Sequence, residues 1–225
     1  LRLALQLPKF DLEGGSYGTR VALEYLRRHP EGVRTAVLEG AFPPGARAPL
    51  TFARDTQTAL DGVLGACAQD ATCHAAFTDP AGDLNILLSQ LAKTPARATV
   101  NDTRSGQPLL LLISPQGLAQ VIRYSLYLPS TSTQIPMFLR QAVQGDFRPI
   151  AELAQFWGGA GLQMADGLFL SVTCAEDVAF FDSAEVGAAT QDTFMGDFRV
   201  RSQKAACAEW QVPAVVLTHL QQTLT

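Results

Sequence analysis

The rhythm of apolar and polar positions changes along this chain, and the change falls near residue 43. Phe10-Asp11-Leu12-Glu13-Gly14 is a short extended run, followed by a glycine-rich turn. Tyr17 to His29 then reads as a helix, with Gly18, Ala22, Tyr25 and Leu26 along one stripe. Pro30 stops it. After Glu31-Gly32, the run Thr35-Ala36-Val37-Leu38 is short, apolar and partly β-branched, which predicts a strand buried on both faces of a parallel sheet. Strand, helix and strand make one βαβ unit.

From Pro43 onward the pattern turns helical. Asp83 can cap a helix carrying Leu84, Leu87, Leu88 and Leu91. Ser114-Pro115 supplies an N-cap and a proline at the first helical position, opening a helix with Leu118, Val121, Ile122 and Leu126 on one face. A third helix is predicted from Pro136 to Gly145, and a fourth holds Ile150, Leu153, Ala154 and Trp157. The runs Leu109 to Ile113 and Leu168 to Val172 are too short for periodicity to choose between strand and helix. The expectation is a helical module rather than continued βα alternation. Both ends read as cuts: Leu1 to Leu7 resembles the end of a helix, and Val212 to Thr225 stops without a turn signal.

With 47% hydrophobic and only 17% charged residues, the chain can bury a substantial core. A formal charge of −4 with scattered Lys and Arg makes no basic field, so nucleic acid is not an expected partner. No apolar stretch approaches the roughly 18 to 20 residues of a membrane span, so no membrane partner is expected either. The four cysteines, Cys67, Cys73, Cys174 and Cys207, allow three pairings if all are oxidised, and four buried free thiols are the alternative. Cys67 and Cys73 are too far apart for a CxxC motif. Although His74 adjoins them, no second close pair completes a zinc site, so no metal or cofactor is expected.

Gly14-Gly15-Ser16-Tyr17-Gly18 fits G-x-S-x-G between a strand and an amphipathic helix, the setting of a nucleophile elbow. Such a turn holds the serine in strained backbone geometry, and glycines on either side let neighbouring chain approach without Cβ clashes. The helix start aims free N–H groups at the same spot, so the Tyr17 amide is a candidate oxyanion donor. The plainer alternative is a glycine-rich turn that only packs or holds a phosphate.

The string Gly14-Gly15-Ser16-Tyr17-Gly18-Thr19-Arg20, with Ala22, Tyr25, His29-Pro30, Val33 and Val37-Leu38-Glu39-Gly40, closely resembles the proline iminopeptidase and tripeptidyl aminopeptidase family of α/β-hydrolases. The resemblance continues in Cys67-Ala68-Gln69-Asp70, Gly145-Asp146, Ser171-Val172-Thr173-Cys174-Ala175-Glu176-Asp177, Cys207 and Trp210. It implies an α/β fold class, with residues 1–42 as part of a hydrolase core, 43–206 as a large, mostly helical cap, and 207–225 returning toward the core. It also implies a serine aminopeptidase, secreted or periplasmic, acting on peptides with a free N-terminus. Cys67 is then expected to pair with Cys73 across a short loop, and Cys174 with Cys207 where the cap returns to the core.

In such proteins the second oxyanion donor lies upstream of Leu1, and the triad acid and histidine downstream of Thr225. The histidines present serve poorly as a base for Ser16. His29 ends the elbow helix roughly 20 Å away, His74 lies in the cap, and His219 precedes any acid. Glu39 follows the second strand but belongs to a structural turn in the resembled family. This chain alone is therefore expected to be inactive. Glu176 and Asp177 are candidate anchors for a substrate ammonium, against the alternative of a solvated turn or a helix cap. Phe169, Phe180 and Phe181 suit core packing better than a specificity pocket. Two other readings remain: an esterase of the same fold, and a noncatalytic binding protein with a degenerate hydrolase core.

Overall fold

The computed structural model describes residues 1–160 and 165–215. Strand β1 (Phe10–Gly15) leads through Ser16 into helix α1 (Tyr17–Arg28), and a 3-10 turn at Pro30–Gly32 delivers the chain to strand β2 (Val33–Glu39). β1 and β2 pair in parallel, with Leu12 opposite Ala36 and Gly15 opposite Glu39. The βαβ reading of the first forty residues is therefore the arrangement found. The double-sided burial expected of the second strand is not: Val37 is 62% exposed. Among the described residues the sheet has two strands and one covering helix, α1, and its other face stays open. Residues 1–7 form a turn, closed by Leu5 N–H to Leu1 carbonyl at 2.9 Å and Leu7 N–H to Arg2 carbonyl at 3.0 Å.

Beyond the loop at 40–51 come α2 (Phe52–Gln69), α3 (Ala71–Ala76) and α4 (Pro80–Lys93). Strands β3 (Ala96–Asn101) and β4 (Pro108–Ile113) then form an antiparallel hairpin. Helices α5 (Pro115–Ser125), α6 (Pro129–Ser132), α7 (Ile135–Val143) and α8 (Arg148–Gln155) follow, and α8 runs into a π-helical turn at Phe156–Ala160. After the undescribed residues come α9 (Asp166–Glu176), a 3-10 turn at Val178–Phe180, α10 (Ser183–Thr190) and α11 (Phe198–Glu209).

The hairpin lies within a module that is otherwise mostly helical, as expected, and it decides one of the two ambiguous runs. Leu109–Ile113 is a strand, whereas the equally ambiguous Leu168–Val172 lies inside α9. Asp83 is reassigned. Asp79 caps α4 by accepting from Gly82 N–H at 2.8 Å, with Pro80 at the first helical position. Asp83 instead lies buried inside the helix, ion-paired with Arg140 Nε of α7 at 3.1 Å. Burial pushes its carboxyl upward and Arg140 opposes that. Ser114 does cap α5, accepting from Gly117 N–H at 3.1 Å.

One apolar cluster joins α2, α4, the hairpin, α5, α7 and α8 through Leu60, Leu87, Val100, Ile122, Phe138 and Ile150. A smaller one gathers Leu50, Val178, Phe181 and Val200. Phe181 is thus a core residue, as expected, while Phe180 is 41% exposed. Disulfides join Cys67 to Cys73, between α2 and α3, and Cys174 to Cys207, between α9 and α11.

Candidate active site

Ser16 sits between β1 and α1 with φ 51° and ψ −122°, a conformation that a residue with a side chain rarely adopts. Three contacts hold it there. Its N–H donates to the Glu39 carbonyl at the end of β2 (2.9 Å), and its carbonyl accepts from Thr19 N–H (3.0 Å) and Thr19 Oγ1 (2.7 Å). Thr19 is fully buried, and its hydroxyl oxygen also accepts from Phe42 N–H at 2.7 Å, tying the elbow to the strand exit.

The glycines divide the work unequally. A Cβ on Gly14 would lie 2.6 Å from the Gly18 carbonyl oxygen, so the strand must be bare where the helix begins. Added Cβ atoms at Gly15 or Gly18 would meet nothing within 4 Å among the described residues. The expectation that glycines on both flanks avoid clashes thus holds for Gly14, with Gly18 contributing the backbone that comes close. Ser16 itself is exposed. The Tyr17 amide stands at the first position of α1, ahead of the first intrahelical bond, and its N–H is free of the ladder that occupies later amides.

The cap reaches this elbow through the end of α9. Tyr17 Oη donates to Glu176 Oε1 at 2.9 Å, and Arg20 Nη1 donates to Glu176 Oε2 at 3.0 Å. Arg20 also grips Asp177 through Nη1 at 3.3 Å and Nη2 at 3.2 Å. Its Nη2 donates in addition to the Ala46 carbonyl, and its guanidinium lies 4.4 Å from the centre of the Phe42 ring. Burial pushes the Tyr17 hydroxyl up to about 12, and the hydrogen bond to Glu176 and that residue's charge add to the effect. Burial likewise raises the Asp177 carboxyl, against the pull of Arg20. Glu176 and Asp177 are therefore not a solvated turn, and Asp177, although it stands at the N-cap position of the 3-10 turn, makes no side-chain cap bond there. They lie against the elbow helix, Glu176 with 17% of its side chain exposed and Asp177 with 2%.

Sequence reading gave Arg20 and Thr19 no role, although both stand in the quoted string. The available signal was spacing: residues three and four after the serine fall on the helical face that turns back toward it.

Among the described residues, no histidine or carboxylate side chain makes a hydrogen bond with the Ser16 hydroxyl. His29 closes α1 at its far end, its ring tilted against that of Tyr25 at 5.2 Å between centroids and 3.7 Å from Glu31. His74 is exposed in α3, and His219 lies outside the described residues. Glu39 contributes its carbonyl to the elbow, and its side chain is exposed. Clefts of about 250 Å³ beside Phe52, Arg123 and Tyr127, and about 240 Å³ beside Met137 and Phe156, lie elsewhere in the cap. Phe169 lies under Arg199, 5.5 Å from its guanidinium.

Residues 1–77 match the family model described as alpha/beta hydrolase fold. The chain is also similar to serine protease Hip1 from Mycobacterium bovis and from two strains of Mycobacterium tuberculosis. It is 37% identical to each over 76 residues, which is 32% of this chain and 15% of each relative. The chain thus spans a minor part of the length of those curated relatives. Its first third, the part that builds the strand, elbow, helix and strand around Ser16, carries the likeness to the α/β-hydrolase fold.

Proposed function

We propose that this chain is the nucleophile-bearing part of a serine aminopeptidase, in which Ser16 forms an acyl-enzyme with the N-terminal portion of a peptide. The observation that carries the reading is the backbone of Ser16, held at positive φ where a strand turns into a helix. A hydroxyl presented there can attack a carbonyl while the Tyr17 N–H meets the developing oxyanion. The base, its acid partner and the second oxyanion donor are supplied by residues other than those described. The likeness to a serine protease favours peptide substrates over simple esters.

Glu176 adds the preference for a free N-terminus. Two carboxylates against the single guanidinium of Arg20 leave one negative charge over when both are ionised, and Glu176 is the partly exposed member. An α-ammonium group would be held there by a charge-assisted hydrogen bond. The helical cap would restrict entry to chain ends. Two disulfides suit an oxidising compartment, so we assign the protein to the cell exterior or the periplasm.

The test is Ser16→Ala in the full-length gene product. Turnover of aminoacyl p-nitroanilides should vanish, with substrate binding and melting temperature nearly unchanged, because only the attacking oxygen is removed. Substantial residual peptidase activity would remove Ser16 from the nucleophile role. Normal cleavage of esters with no cleavage of peptides would favour the esterase reading.

A further inference from the structure

We propose that Arg20, together with the Tyr17 hydroxyl, is a positioning pair that fixes the Glu176 carboxylate beside the nucleophile, so that the cap carries its substrate-binding charge in register with the elbow. The inference rests on the aminopeptidase reading above and goes past it by naming what sets the geometry of the binding group.

The argument begins with connectivity. Arg20 is 3% exposed and stands four residues after Ser16 on α1, so its Cα moves with the helix that carries the Tyr17 amide. From there its guanidinium touches two separate segments: the loop leaving β2, through the Ala46 carbonyl and Phe42 ring, and the end of α9, through Glu176 at its last position and Asp177 just past it. The two carboxylates receive different treatment. Asp177 accepts from both terminal nitrogens and is sealed from water, so its charge is spent on holding the guanidinium plane. Glu176 accepts one bond from Arg20 on Oε2 and one from Tyr17 on Oε1. Each oxygen keeps a further lone pair, and the side chain keeps a path to solvent.

A glutamate on a helix end has several rotamers, and immobilising it on binding would cost affinity. Two donors rooted on the elbow helix remove that freedom beforehand. Both donors lie within four residues of Ser16, so the distance between ammonium site and nucleophile is set inside α1 rather than by the packing of the whole cap. That is the arrangement required of an enzyme that must measure a short, fixed interval from a chain end to the attacked carbonyl.

Lysine cannot replace the planar fork: a point charge can hold one carboxylate but not Glu176, Asp177 and the Ala46 carbonyl together. In the full-length gene product, Arg20→Lys should raise KM for an aminoacyl p-nitroanilide with a free amine by roughly tenfold or more. The effect on the matching N-acetylated p-nitrophenyl ester should be several-fold smaller. In a Glu176→Gln background the same change should add little to the amine KM, because the group being positioned has lost its charge. Equal losses on both substrates, or full additivity with Glu176→Gln, would overturn the proposal and leave Arg20 a structural residue. If Arg20→Lys does not fold, Tyr17→Phe removes the other donor with no change in charge, and an unchanged amine KM in that variant would overturn it as well. Ser16→Ala run alongside separates the two levels. Activity surviving that change defeats the nucleophile reading and this inference with it, whereas activity lost with Ser16 but no amine-specific effect at Arg20 or Tyr17 defeats this inference alone.

Discussion

A methyl group at Gly14 would lie 2.6 Å from the Gly18 carbonyl oxygen and 2.8 Å from its carbonyl carbon, both backbone atoms with no side-chain rotation to absorb the contact. Gly14→Ala should therefore force β1 away from the start of α1, costing on the order of 1–3 kcal/mol of stability and displacing Ser16. Gly18→Ala fills space that is open among the described residues and lies near a helix start, so it should be neutral or slightly stabilising. Thermal melts of the two variants check the contrast, and similar losses at both would show that Gly18 has neighbours of its own. This asymmetry was not legible in the motif, which treats the two positions alike. The turn that presents Ser16 and the Tyr17 amide was legible, because a G-x-S-x-G string stands there between a strand and a helix. The role of Arg20 was hidden for a different reason: a helical arginine is ordinarily a solvated one, and only the fold brings Glu176 and Asp177 to it from more than 150 residues away.

Among the elements, the disulfide between α9 and α11 closes a loop with a sequence separation of 33, against 6 for the one between α2 and α3. In the chain-entropy model the longer loop should contribute about 4 kcal/mol and the shorter about 2 kcal/mol. Replacing Cys174 and Cys207 together by alanine should thus lower the denaturation midpoint more than replacing Cys67 and Cys73. Equal shifts would count against the loop-length account. The start of α5 was readable because a cap and a proline stand together at Ser114-Pro115. The same logic applied to Asp83 failed because Asp79-Pro80 carries that signature four residues earlier, leaving Asp83 to face Arg140 from inside the helix. Leu109–Ile113 and Leu168–Val172 were indistinguishable in pattern. Their fates were settled by neighbours: the former has an extended partner in Ala96–Asn101, and the latter lies beside α11.

At the scale of the molecule, the elbow and the helical module are present, yet among the described residues no histidine approaches Ser16 and the sheet that bears it has two strands. These 225 residues expressed alone should be inert towards aminoacyl p-nitroanilides, since losing the general base typically lowers acyl transfer by roughly 10⁴ to 10⁶. Ser16-dependent cleavage by that preparation would hand the base role to His219 or another residue of this chain. The outline of the molecule, a βαβ unit and then a helical module, was legible because its two parts bury their apolar residues with different periods. The hairpin within the module was not, since a single short run shows no period. The two parts also differ in what holds them together. The buried members of the large apolar cluster run from Leu60 to Ala151, with Leu153, Ala154 and Phe194 packed against them, and among the described residues the elbow unit contributes no side chain to it. The two need not therefore melt as one cooperative unit. Backbone amides deep in α5 and α7 can stay protected while those of β1 and β2 open and exchange with solvent, so Ser16 is mounted on the more pliant of the two parts, moored by Arg20 to the end of α9 and not to the large cluster itself.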